Sequence, residues 1–150
     1  MHSVRCVPLL AVLVATQLMG SEPPKGFRSM VWGSAPSKTL KKVGETTSDG
    51  TSLYTTKPGV KPSSFMDLPV AEEAYSFTHR KLYSASAWLD GRSNFDQMKS
   101  ALIKAYGAPA FTNERQDLFK WKWTGTKIEV RLSYQSKFAR SEVTYLNNGI

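Results

Sequence analysis

The chain has 150 residues, 41% hydrophobic and 11% aromatic, with 20 Lys and Arg against 12 Asp and Glu for a formal charge of +8. That length and composition exclude a disordered chain and suit one domain with one core. One cysteine, Cys6, excludes a disulfide framework, and two histidines, His2 and His79, leave few ligands for zinc or copper.

Residues 1–20 read as a cleavable secretory signal. His2 and Arg5 make a short positive start, and the 13 residues 7–19 carry no charge. Such a run falls short of the roughly 20 residues that cross a bilayer as a helix. Cleavage is expected after Gly20, with a cut after Thr16 as an alternative and an uncleaved anchor as the competing reading. Cys6 precedes the apolar run, so it is not placed as a lipidation cysteine. Without residues 1–20 the chain keeps 19 basic and 12 acidic residues, +7, with no cysteine and no transmembrane span. The expected location is exported, periplasmic or secreted.

Residues 21–26 (SEPPKG) read as a linker. A single domain is expected over residues 27–147, with residues 148–150 frayed. Residues 27–32 (FRSMVW) read as a short extended piece. Ser34 as N-cap and Pro36 in the first turn start a short helix continued by residues 37–43, with Gly44 ending it. Residues 51–57 are β-branched and aromatic and predict a strand. Residues 58–69 contain three Pro and one Gly and predict a loop.

Alternation over residues 72–79 sets Tyr75, Phe77 and His79 on one side, and residues 82–89 set Tyr83, Ala85, Ala87 and Leu89 against Ser84, Ser86 and Trp88. This is a hairpin. Residues 93–106 predict a helix, with Ser93 and Asp96 as a capping box and Phe95, Met98, Leu102, Ala105 and Tyr106 as its apolar stripe. Gly107 and Pro109 end it. Strands follow at residues 118–123, 127–134 and 140–146, the last at an edge. The expected fold class is α+β: an antiparallel sheet of five to six strands with two helices on one face, as a degenerate helix–three-strand unit used twice.

The run Phe27-Arg28-Ser29-Met30-Val31-Trp32-Gly33-Ser34-Ala35-Pro36, with Tyr106-Gly107-Ala108-Pro109 and Trp121-Lys122-Trp123-Thr124, resembles a group of small uncharacterised secreted bacterial proteins. These share an F-R-x-x-x-W-G-x-x-P opening and a Y-G-x-P helix ending. The resemblance implies an envelope location and no activity. At fold level the chain is similar to small outer-membrane assembly lipoproteins and to tandem-repeat protein inhibitors of β-lactamases, without the cysteines of either.

No catalytic residues, metal ligands or cofactor are expected. A zinc or copper site would have to be carboxylate-rich, and no tight Asp or Glu cluster appears. Glu72 and Glu73 are neighbours on a strand and point to opposite faces. Phe119, Trp121 and Trp123 alternate with Lys120 and Lys122, which separates rings from cations and disfavours nucleic acid. The candidate binding residues are Trp88, Lys120, Lys122, Lys127 and Arg131 on the outward sheet face, and Trp32 just ahead of the first helix, which either packs under the sheet end or is a ligand-facing ring. The expected function is a non-enzymatic binding module presenting a basic sheet face to an acidic protein or anionic envelope component. The alternative is a small-ligand binder with a pocket near Trp32 and the 58–69 loop.

Overall fold

Strand-period alternation of buried and open residues runs through most of the chain. The computed structural model describes residues 21–60 and 64–150, so the expected signal and residues 61–63 of the expected loop lie outside the described residues. Among the described residues are ten strands and one α-helix. A two-stranded sheet joins β1 (Gly26–Phe27) and β2 (Met30–Val31). A first meander consists of β3 (Leu40–Val43), β4 (Thr51–Thr56), β5 (Glu72–Thr78) and β6 (Lys81–Asp90). After α1 (Arg92–Tyr106) comes a second, β7 (Phe111–Asn113), β8 (Leu118–Lys122), β9 (Ile128–Gln135) and β10 (Arg140–Asn147). The two meet through their last strands, giving one eight-stranded antiparallel sheet in the order β3-β4-β5-β6-β10-β9-β8-β7.

The chain is therefore mostly β, which corrects the expected α+β class with two helices and five to six strands. The expected second helix over residues 37–43 contains β3 instead. Leu40 is buried against the core, while Val43 pairs with Leu53 on the opposite face of the sheet. A seven-residue helix is marginal alone, whereas β4 supplies a complete ladder partner. Gly44, at φ 69°, turns the chain toward β4 rather than ending a helix. With that helix gone, the helix–three-strand unit used twice is overturned as well. The last strand is not an edge: β10 pairs β6 on one side and β9 on the other. Burial of Ser141, Val143 and Tyr145 explains its central place.

Two local features refine the hairpin and the helix. β5 and β6 shift register between Ser76 and Phe77, so that Leu82 pairs with Phe77 and Ser84 with Ser76. Tyr83 is the extra residue of a bulge, and Leu82 rather than Tyr83 is buried. α1 starts after Gly91 without a side-chain cap, so the expected Ser93–Asp96 box does not form. Its buried stripe is Phe95, Met98 and Leu102.

One face of the sheet carries the core. α1 covers β6, β10 and β9. The area beyond it is filled by the N-terminal segment, where Phe27 is fully buried and meets Phe65, Tyr75 and Tyr145 at 5.0, 5.8 and 5.3 Å between ring centroids. Each such buried ring contributes about 2–3 kcal/mol. Among the described residues no helix is long and apolar enough to cross a membrane.

Candidate functional site

No described element packs on the other face of the eight-stranded sheet. Cross-strand register sets its side chains in rows. One row runs Ser76, Ser84, Leu146, Glu129, Lys122 from β5 to β8, and the next runs Ala74, Ser86, Thr144, Arg131, Lys120, Phe111 from β5 to β7. A third carries Glu72, Trp88, Glu142, Ser133 and Leu118. The middle of these rows mixes the hydroxyl side chains Ser76, Ser84, Ser86 and Thr144 with Ala74 and Leu146, and the first row continues through Leu53 to Val43.

The cations gather at the β8–β9 corner. Arg131 donates from Nε to a Glu129 carboxylate oxygen, and Lys122 Nζ lies 3.5 Å from the other. Glu129 is 6% exposed although it belongs to the open face, because the longer cationic side chains close over it. Burial opposes its ionisation most strongly. The Arg131 hydrogen bond and the charges of Arg131, Lys122 and Lys120 together outweigh burial and hold its pKa below the ordinary glutamate value. Lys120 lies 5.3 Å from the centroid of the Phe111 ring. One carboxylate thus stands among three cations.

The opposite corner is acidic. Trp88 is half-buried between Glu72 on β5 and Glu142 on β10, its register partners. Glu142 accepts from Ser86 Oγ at 3.1 Å and from Thr144 Oγ1 at 3.0 Å, and the two hydroxyl oxygens are 2.7 Å apart. Glu72 accepts from Arg140 Nη1 at 3.2 Å, and Asp90 from Arg140 Nε at 3.0 Å. The face as a whole is dipolar rather than uniformly basic.

Of the candidate residues, Lys120, Lys122, Arg131 and Trp88 lie on this one face. Lys127 is exposed in the β8–β9 turn, just before β9 begins at Ile128, and does not belong to the rows. Trp32 is elsewhere: its indole N–H donates to the Pro24 carbonyl at 2.9 Å, and it packs at the core margin. It borders an open cleft of about 690 Å³ shared with His79, Lys81 and Ile150. His79 stands in the β5–β6 turn with its ring against Gly50, where a Cβ would come within 2.5 Å of it.

A cluster under the sheet was not legible from sequence. Arg28, at the β1–β2 turn, donates to Glu73, which is 4% exposed, and to the Ser64 carbonyl at 2.9 Å. The Tyr75 hydroxyl donates to Glu73 at 2.8 Å. Burial, and then that hydrogen bond, push the Tyr75 phenol far above its ordinary range. Two cavities flank Arg28 and Met30. One of about 180 Å³ reaches Thr39, Val60 and Glu73, and one of about 300 Å³ reaches Phe65, Met66, Tyr106 and Tyr145. Trp32 borders neither. Among the described residues no group of three or more His, Cys, Asp and Glu gathers as a metal site.

No protein-family model matches the chain, and neither a curated protein nor a solved structure matches it.

Proposed function

We propose that the protein is an exported, non-enzymatic binding module that holds an anionic partner on the open sheet face, at the β8–β9 corner. One observation carries this reading: Lys120, Lys122 and Arg131 converge on an uncovered surface with Glu129 alone between them. Their charge exceeds what Glu129 neutralises, and the excess steers and holds a polyanion. Export rests on the uncharged run over residues 7–19 and its basic start.

The test is retention on immobilised dextran sulfate across a salt series. Lys120→Gln with Lys122→Gln should elute at markedly lower salt than Lys104→Gln with Lys137→Gln, a control pair with the same charge change away from the face. Equal elution of the two double variants would end the reading.

The cavities beside Arg28 favour a second reading, a binder of small ligands near the N-terminal segment. Tyr106 borders the 300 Å³ cavity and meets Trp123 edge-on at 5.2 Å. A ligand there would shift tryptophan emission saturably; a flat titration with a low-mass envelope extract would dismiss it.

A further inference from the structure

Resting on that open-face reading, we propose that the anionic partner at the β8–β9 corner is the acidic corner of a second copy of this chain, the two copies meeting open face to open face as a twofold dimer. The two corners follow one pattern in opposite sign. Lys120, Lys122 and Arg131 stand around Glu129. Glu72, Asp90 and Glu142 stand around Arg140, which pairs with the first two. Each corner thus sets three charges of one sign against one of the other. Lys41 and Lys81, at the β3 edge and the β5–β6 turn, stand outside both. A free polyanion covers the basic corner and leaves the acidic one bare. A second copy carries both patches at the same spacing by construction and makes each contact twice. Val43, Leu53 and Phe111 are exposed on the same face, and apolar groups among charges suit a folded partner.

Register places the corners on a diagonal. Their centres lie roughly two strands apart across the sheet and two rows apart along it, about 11 and 14 Å at ordinary sheet spacings. A twofold axis lying in the interface, at right angles to that diagonal, exchanges the corners and brings each acidic corner over the other copy's basic one. The axis runs obliquely to the strands, so the strands of the two copies cross steeply, as in orthogonal sheet packing. Ser76, Ser86, Thr144 and Ser133 fall in line along it. These short side chains let the two backbones approach to the face-to-face spacing of about 10 Å.

The full chain is tested by sedimentation velocity over a range of protein concentrations. A dimer is expected at low salt, weakened by added salt because screening acts on paired surface charges. Lys120→Glu with Lys122→Glu makes both corners acidic, and Glu72→Lys with Asp90→Lys, at two exposed positions, makes both basic. Each double variant alone should lose association at least tenfold, with folding checked by circular dichroism. An equimolar mixture of the two should dimerise again, a rescue that damage to the fold does not produce. If a reversal does not fold, Lys120→Gln with Lys122→Gln should still weaken the dimer tenfold where Lys104→Gln with Lys137→Gln does not. A wild type that stays monomeric at every concentration would overturn the proposal. So would folded reversals that associate like the wild type, or a mixture of them that stays monomeric. Any of these results leaves the dextran sulfate comparison standing, so the two readings fail separately.

Discussion

Phe27 and Tyr145 meet edge to face, with ring centroids 5.3 Å apart and planes at 65°. Phe27 comes from a strand of two residues near the start of the described chain, and Tyr145 from the central strand β10 near its end. An irregular segment thereby does the work of a second helix over the β4–β5 side of the sheet. Phe65, from the loop before β5, completes the layer at 5.7 Å from Tyr145.

Phe27→Ala should accordingly cost about 3–5 kcal/mol, as large as truncating a core residue of a regular element. Leu102→Ala in α1 is the comparison. Urea unfolding of both variants checks this. A loss under about 1 kcal/mol for Phe27→Ala would show that the segment is not part of the core layer.

The turns between paired strands carry avoidable strain. His79 and Arg80 join β5 to β6 with φ of 47° and 64°, and Met66 and Asp67 sit between Phe65 and Leu68 with φ of 49° and 62°. Both pairs have the positive φ that favours Asn-Gly. Left-handed backbone costs a residue with a Cβ about 1–2 kcal/mol, offset partly by glycine's unfolded freedom. Arg80→Gly and Asp67→Gly should each stabilise by about 0.5–1 kcal/mol. A lowered melting temperature in both would refute the argument.

Alkali should unfold the protein through its buried phenols. Burial and then the neighbouring Tyr106 push Tyr145 far upward; burial and then Glu73 do the same to Tyr75; burial raises Tyr106. A phenol raised in the folded state favours folding while it is neutral. That contribution is complete below the ordinary tyrosine value of about 10 and declines above it as the unfolded chain ionises. Ionisation of Tyr75, Tyr106 and Tyr145 should therefore coincide with loss of far-ultraviolet ellipticity. Ionisation of all six tyrosines with the fold intact would contradict this.

Glu129 makes the opposite contribution at acid pH. Its carboxyl is held below the ordinary glutamate value because Arg131, Lys122 and Lys120 outweigh the larger opposing effect of burial. The stabilisation is present above about pH 4.3 and vanishes as pH falls through the lowered folded value. The wild type should thus exceed Glu129→Gln in melting temperature at pH 7, with the gap closing toward pH 3. A gap independent of pH would show that Glu129 acts by packing alone.

Legibility in the sequence followed element length and the range of the contacts. The hairpin of β5 and β6, helix α1 and strands β8 to β10 have repeats long enough to read. In β3, Leu40 and Val43 are three apart, a spacing that suits a helix face; only pairing with β4 decides it. Alternation places Lys120, Lys122 and Arg131 on one face, but the burial of Glu129 depends on its meeting Lys122 on the neighbouring strand. Arg28 and Glu73 are 45 positions apart and meet through the tertiary fold. Lys127 shows how a boundary error of one residue moves a side chain out of a row.

The seam between β6 and β10 also joins the two meanders into one sheet. β6 is the longest strand among the described residues, and residues 140–147 close one of its two flanks. Without the eight residues of β10 the two meanders share no backbone ladder. The first meander is then half of a layer, with a bare backbone edge and nothing from β10 to close beneath α1. Shortening the tail past Tyr145 would remove the keystone rather than trim an end.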